Sequence, residues 1–280
     1  MGAELTEPFA EYRDISVTDP LRQGDVLEAV DPSASKWQRH LLVITADCDF
    51  AYDKHQGRVT CVPLLTAPEY LMEMQVPRIR ERFMPKIVGV LRKVLPPDSG
   101  ANISDERLRA WPCEAEPAEI VAALGLDGRD AETAKAALES IRLISQPAGT
   151  LDEAVELVVA SYLAAPNAQK RENVVQQITE ALKGPYSQPP GDALFLSAVA
   201  PKHHLGYFVY LRHLEQVWEP EIATGPTRSA VSYRRISRLQ DRYIHALVQR
   251  FALVFMSIGL PKEYEEIRDF HSELLGETYK

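Results

Sequence analysis

Asp47-Cys48-Asp49 sets a thiol between two carboxylates at the end of the apolar run VITA, and three chemistries compete for it. A nucleophilic cysteine needs a thiolate, and flanking carboxylates push a thiol's pKa up rather than down. A metal site would join Cys48 to Asp47 or Asp49 and to a distant histidine such as His203 or His204, but zinc sites commonly use more soft ligands. The third reading is a polar turn, in which Cys48 is a small buried hydrophobe and Asp47 or Asp49 bonds the backbone through its side chain. The turn is preferred, and no metal site or cofactor is expected.

Two further constellations suit phosphate chemistry. Metal-independent RNA cleavage needs a base for the 2′-hydroxyl, an acid for the leaving oxygen and a cation for the developing charge. Arg39, His40 and His55 hold those residue types, provided that the loop bearing His55 folds back over the strand. Arg228, Arg234, Arg235, Arg238 and Arg242 crowd one stretch opposed only by Asp241, interleaved with Tyr233 and Tyr243. Guanidinium groups beside aromatic rings fit a nucleic-acid backbone. Strand alternation puts Arg234 and Ile236 on one face and Arg235 and Ser237 on the other, so the arginines cannot all meet one ligand. The competing role for these arginines is internal, pairing with acidic helices elsewhere in the chain.

The elements that must position these groups follow from periodicity. GDVLEAVD (24–31), RHLLVITAD (39–47) and GRVTCVPLL (57–65) are short, rich in β-branched residues and bounded by turn formers, which predicts three antiparallel strands. From Pro68 to Leu95 the apolar positions Ile79, Phe83, Ile87, Val90, Leu91 and Val94 recur at helical spacing, with Pro85 as a kink. Residues 105–183 read as helices, with Ser104 and Thr150 as N-caps. That run carries fourteen Asp and Glu against eight Lys and Arg, a net of −6. Strands return at ALFLSAV (193–199), GYFVYLRHL (206–214) and SAVSYRRISRL (229–239), followed by an amphipathic helix over 243–258 with Gly259-Leu260-Pro261 as its stop and a charged helix over 262–275. Short strands need partners for their edges, so the two β-rich ends are expected to close into one small barrel around a helical excursion.

The order GDVL, RHLLVIT, loop, KHQGRVTCVPLLT resembles the opening of PemK/MazF-type toxins, SH3-like barrels that cut RNA. The strand ending in "T-A-D-C-D", with the later "R-I-S-R-L", "L-V-Q-R-F-A-L-V-F" and "I-G-L-P" runs, is also similar to a group of bacterial proteins of uncertain function. The resemblance covers residues 24–66 and 229–261. With the periodicity above, it implies an α+β fold with an SH3-like, PemK-like barrel built from both chain ends: 18–67 as its first half, 68–190 as a mostly helical insertion that the resemblance does not cover, and 191–280 as the remaining strands with a helical cap. It further implies that Arg39 stabilises charge on the scissile phosphate and that Thr66 contributes an active-site hydroxyl, while His40 stands where the toxins carry proline.

Composition bounds the rest. With 45% hydrophobic and 25% charged residues the chain has a globular composition, and a net charge of −9 disfavours polyanion binding by the surface as a whole. Three cysteines without CxxC spacing argue against a disulfide framework, and no run approaches the roughly 20 apolar residues of a membrane span, so a cytoplasmic location is expected. The function expected is a non-catalytic protein-interaction module of a bacterial regulatory, toxin or anti-phage defence system, with an antitoxin or defence component as partner. The alternative is a metal-independent endoribonuclease or RNA-binding effector using Arg39, His40 and Thr66, with Arg234, Arg235, Arg238, Arg242 and Tyr233 at the phosphate.

Overall fold

A computed structural model describes residues 10–96, 103–225 and 230–256, together with 262, 266, 267, 269–271, 273 and 274. Arg228 and the expected stop at Gly259-Leu260-Pro261 lie outside the described residues. The chain is α+β and divides into two compact units, one running to Leu64 and resuming over Gly191–His204 and from Val209, the other spanning Leu65–Pro190 with Leu205–Phe208.

The strands are β1 (Tyr12–Arg13), β2 (Asp25–Ala29), β3 (His40–Val43), β4 (Arg58–Thr66), β5 (Ala193–Leu196), β6 (Tyr207–Tyr210), β7 (Glu215–Trp218), β8 (Ile222–Ala223) and β9 (Tyr233–Leu239). They pair in the order β1-β9-β2-β3-β4-β6-β5, with β7 on β4 and β8 parallel to β9. The C-terminal strand β9 is thus inserted between two N-terminal ones. The sheet curls into a half-barrel, which corrects the expectation of a closed barrel: its path runs from the two-residue β1 to the four-residue β5. Cross-strand register separates the faces. Leu27 opposite Leu41 and Val43 opposite Cys61 belong to one buried cluster, which Leu21, Val59, Val217 and Ile222 complete. The alternate positions, Val26 opposite Leu42 and Glu28 opposite His40, point the other way.

A bulge interrupts the β2–β9 ladder between Val26 and Leu27. Leu27 pairs with Arg235, Val26 with Ser237 and Asp25 with Arg238, so the ladder passes over Ile236. One extra residue reverses the alternation, and Arg235 and Arg238, three apart, come to lie on the same face.

Two short helices, α1 (Lys36–Arg39) and α2 (Asp47–Ala51), flank β3. Arg39 therefore ends a helical turn rather than opening a strand. In the same unit, the C-terminal helix Asp241–Phe255 buries Ile244 and Leu247, and Ile244 packs beside Gly24. Gly24 has φ +91°, a backbone conformation that favours glycine, and a Cβ there would crowd Ile244 Cγ1 at 3.3 Å.

The second unit is helical. A first turn (Ala67–Tyr70) and a π-helical turn (Leu71–Gln75) lead into Val76–Val94, which continues through Pro85, and then Asp105–Glu114, Pro117–Ala123, Gly128–Ser145, Leu151–Ala164 and Arg171–Ser187 follow. Ser104 and Thr150 are side-chain N-caps, accepting from the amides of Arg107 and Glu153. Ile79, Phe83, Ile87 and Leu91 pack with Leu138, Ile141, Val158 and Ile178 in one apolar core. Inside it, the buried Ser140 and Ser161 each donate a hydroxyl to the other's carbonyl at 2.8 Å, satisfying both groups across two helices.

Candidate functional site

The arginine-rich strand does not present a common surface to phosphate. Arg235 and Arg238 both reach Asp25, whose carboxylate is fully buried: Arg238 Nε donates to Oδ1 at 2.6 Å and Nη2 to Oδ2 at 3.0 Å, while Arg235 Nη1 lies 3.3 Å from Oδ2. Their terminal nitrogens also donate to backbone carbonyls, while the buried Nε of Arg235 makes no hydrogen bond. Arg235 donates to Pro20, Ser16 and Asp19, and Arg238 also donates to Pro20. Asp25 Oδ2 in turn accepts the amide of Arg22 at 2.8 Å. The expectation that these two arginines bind an external phosphate is corrected, since the guanidinium groups are consumed in pinning residues 16–22 to the sheet. Their acidic partner is Asp25 of β2, which also corrects the alternative of pairing with the acidic helices.

The other members of the stretch diverge. Tyr233 packs on the apolar cluster, and burial pushes its phenol up to about 12. Arg242 is exposed, donates to Gln240 and lies 5.0 Å over the ring of Tyr243. Arg234 is exposed and stands opposite Glu28.

Thr66, expected to offer a catalytic hydroxyl, caps a helix in the second unit. Its amide and its hydroxyl both donate to Glu69 Oε2, at 3.0 and 2.8 Å.

At Asp47-Cys48-Asp49 a helical turn begins. Asp47 Oδ1 accepts the amide of Gln23 at 2.9 Å, a long-range bond to backbone rather than a bond within the turn. Cys48 is exposed, with Sγ 3.8 Å from Asp49 Oδ1, which corrects its assignment as a buried hydrophobe. Cys61 is the buried thiol, and desolvation raises its pKa strongly. His55 is covered rather than solvated: Nε2 meets Glu219 Oε2 at 2.8 Å, Nδ1 lies 3.2 Å from the Asp49 carbonyl, and the ring packs near Phe50. The hydrogen bond to Glu219, more than any other influence, raises the pKa of His55.

Among the described residues three side chains with ligand or acid–base character converge, and sequence reading joined no two of them. Glu28 on β2, His40 on β3 and His203 on the segment after β5 have donor atoms all within 4.8 Å of one another. Glu28 Oε1 lies 3.5 Å from His40 Nε2 and 3.7 Å from His203 Nε2, and the imidazole rings meet edge to face at 5.2 Å. His203 is held by a tight turn, its amide donating to Ala200 and its carbonyl accepting from Val199, while Ser237 Oγ donates to the Val199 carbonyl. His40 is buried, whereas the side chains of His203 and Glu28 are 24% and 37% exposed, so the group opens toward solvent on their side. Burial, then the neighbouring His203, lowers the pKa of His40 against the opposing pull of Glu28. A neutral imidazole, fit to accept a proton or to ligate, is the favoured form. Cys48 and Asp47 are not members of the group. Its legible trace in the sequence is the register of GDVLE against RHLLV, which puts Glu28 across from His40; the placing of His203 has no local signal.

No protein-family model, curated protein or solved structure matches this chain.

Proposed function

We propose that the chain acts as a non-catalytic protein-interaction module of a bacterial regulatory, toxin or anti-phage defence system, carried on a half-barrel of the SH3-like, PemK-like kind. The observation that supports this reading is the end of the C-terminal helix. Ile244 and Leu247 are buried in their own unit, but Leu253, Phe255 and Met256 are 67%, 55% and 74% exposed, and Ile267 and Phe270 beyond them are exposed as well. A run of large apolar side chains on the surface is the mark of a surface that another protein covers. The partner is a protein presenting an apolar helical face, an antitoxin or a defence component. Co-expression with the products of adjoining genes, followed by affinity capture, tests it: Leu253→Glu with Phe255→Glu should abolish the complex while circular dichroism stays unchanged. A complex that survives both substitutions overturns the assignment.

A second reading, a metal-independent endoribonuclease or RNA-binding effector, is favoured by the row Arg234, Glu28 and His40, which stand side by side across three strands with His203 beside them. A cation, a carboxylate and two imidazoles are the parts that 2′-hydroxyl attack requires. Cleavage of single-stranded RNA in chelator, lost in His203→Ala and Arg234→Ala, would support it. The absence of both cleavage and salt-dependent binding would sink it.

A further inference from the structure

We propose that Glu28, His40 and His203 form a binding site for a zinc-class divalent transition metal. The inference is independent of the interaction reading above. Three observations carry it. The donors are two imidazole Nε2 atoms and one carboxylate oxygen from three separate segments, the ligand set of an open zinc site with a fourth position left for water or an incoming group. The oxygen–nitrogen spacings are close to those of a metal site: metal–ligand bonds of roughly 2.0–2.2 Å at tetrahedral angles put ligand atoms roughly 3.3–3.6 Å apart. The two nitrogens stand 3.5 and 3.7 Å from the same oxygen, Glu28 Oε1. Two other histidine–carboxylate pairs, His55 with Glu219 and His213 with Glu215, close to 2.8 Å, so Glu28 stands back from its two imidazoles by comparison with these.

The chemistry of the set selects the metal class. Two imidazoles suit zinc, cobalt, nickel or ferrous iron and disfavour magnesium and calcium, which take oxygen ligands. A bound dication would join β2, β3 and the turn that follows β5.

The test uses the full chain, freed of metal by dialysis against chelator, and zinc or cobalt(II) as the probe. We expect one equivalent of zinc by calorimetry and by elemental analysis after dialysis, a cobalt(II) visible absorption of four- or five-coordinate type, and a rise in Tm with added zinc. His203→Ala and Glu28→Gln, at partly exposed positions, should each weaken binding beyond the roughly 10–100-fold that removal of an outer partner of a metal ligand costs, because each removes a direct ligand. Both variants should keep the wild-type fold by circular dichroism. Cys48→Ser with Cys113→Ser, which removes the exposed thiols, should leave stoichiometry unchanged. No stoichiometric uptake, uptake indifferent to both ligand substitutions, or uptake that disappears with the cysteines overturns the proposal.

Discussion

Arg238 and Asp25 face each other directly across the β2–β9 ladder and share two hydrogen bonds, Nε to Oδ1 at 2.6 Å and Nη2 to Oδ2 at 3.0 Å, with both side chains buried. The bulge one pair away brings Arg235 to the same carboxylate. One negative and two positive charges are therefore removed from water together, and carbonyls of residues 16–20 supply the rest of the acceptors.

Asp25→Ala leaves two guanidinium groups buried without their counter-ion, and should destabilise the protein by about 3–5 kcal/mol in urea titration. Asp25→Leu, Arg235→Met and Arg238→Met combined should recover only part of that loss: an apolar set removes the desolvation cost of the charges, but the carbonyls of Ser16, Asp19 and Pro20 and the amide of Arg22 lose these partners. A single variant as stable as wild type would show that the triad is unimportant to folding.

His55 and His40 should titrate in opposite directions from the ordinary histidine value of about 6.5. Two-dimensional NMR of the imidazoles should place His55 above it, held protonated chiefly by Glu219, and His40 below it, held neutral chiefly by burial. The stability consequences have opposite signs. The contribution of His55 is complete below about 6.5 and fades as pH rises through its folded value, so Glu219→Gln should cost more stability at mildly acidic pH than at pH about 8.5. His40 works against the fold as pH falls below about 6.5, because the unfolded chain takes up that proton more readily.

Thiol labelling should sort the three cysteines by exposure. In the folded protein Cys48 and Cys113 should react with a disulfide reagent within minutes, whereas Cys61, buried and with its pKa raised, should react only on unfolding. A single fast thiol, absent in Cys113→Ser, would mean that Cys48 is covered after all.

The two hydroxyl-to-carbonyl bonds between Ser140 and Ser161 should contribute nearly independently. Ser140→Ala removes one hydroxyl and leaves a buried carbonyl of its partner helix short of a donor, a cost of about 1–3 kcal/mol. Each hydroxyl serves a different carbonyl, so in the double Ser→Ala variant the two losses should add rather than cancel, and a double variant near wild-type stability would mean that the hydroxyl pair contributes little.

What was legible in the sequence is local. The strands about Asp25–Ala29, His40–Val43 and Arg58–Thr66, the caps at Ser104 and Thr150, and the amphipathic helix before Phe255 all follow from side-chain period and from the hydrogen-bonding habits of a few residues, which act over one or two turns of chain. The alternation rule also warned that the arginines of β9 could not share one face. Which of them would do so depended on a bulge at Ile236, and a bulge is decided by the partner strand. Cys48 read as buried because small thiols commonly are, but the helix starting at Asp47 turns it outward. Thr66 read as a catalytic hydroxyl only through the toxin resemblance, and a glutamate three residues on takes it as a cap. The joining of Glu28, His40 and His203 lay furthest from view. Their donor atoms converge although more than 160 residues separate His40 from His203 in the chain, and only the packing of the turn at Ala200–His203 against the sheet closes that distance. Sequence determined the elements, because secondary structure answers to neighbours in the chain; tertiary structure decided the site, because charges and ligands answer to neighbours in space.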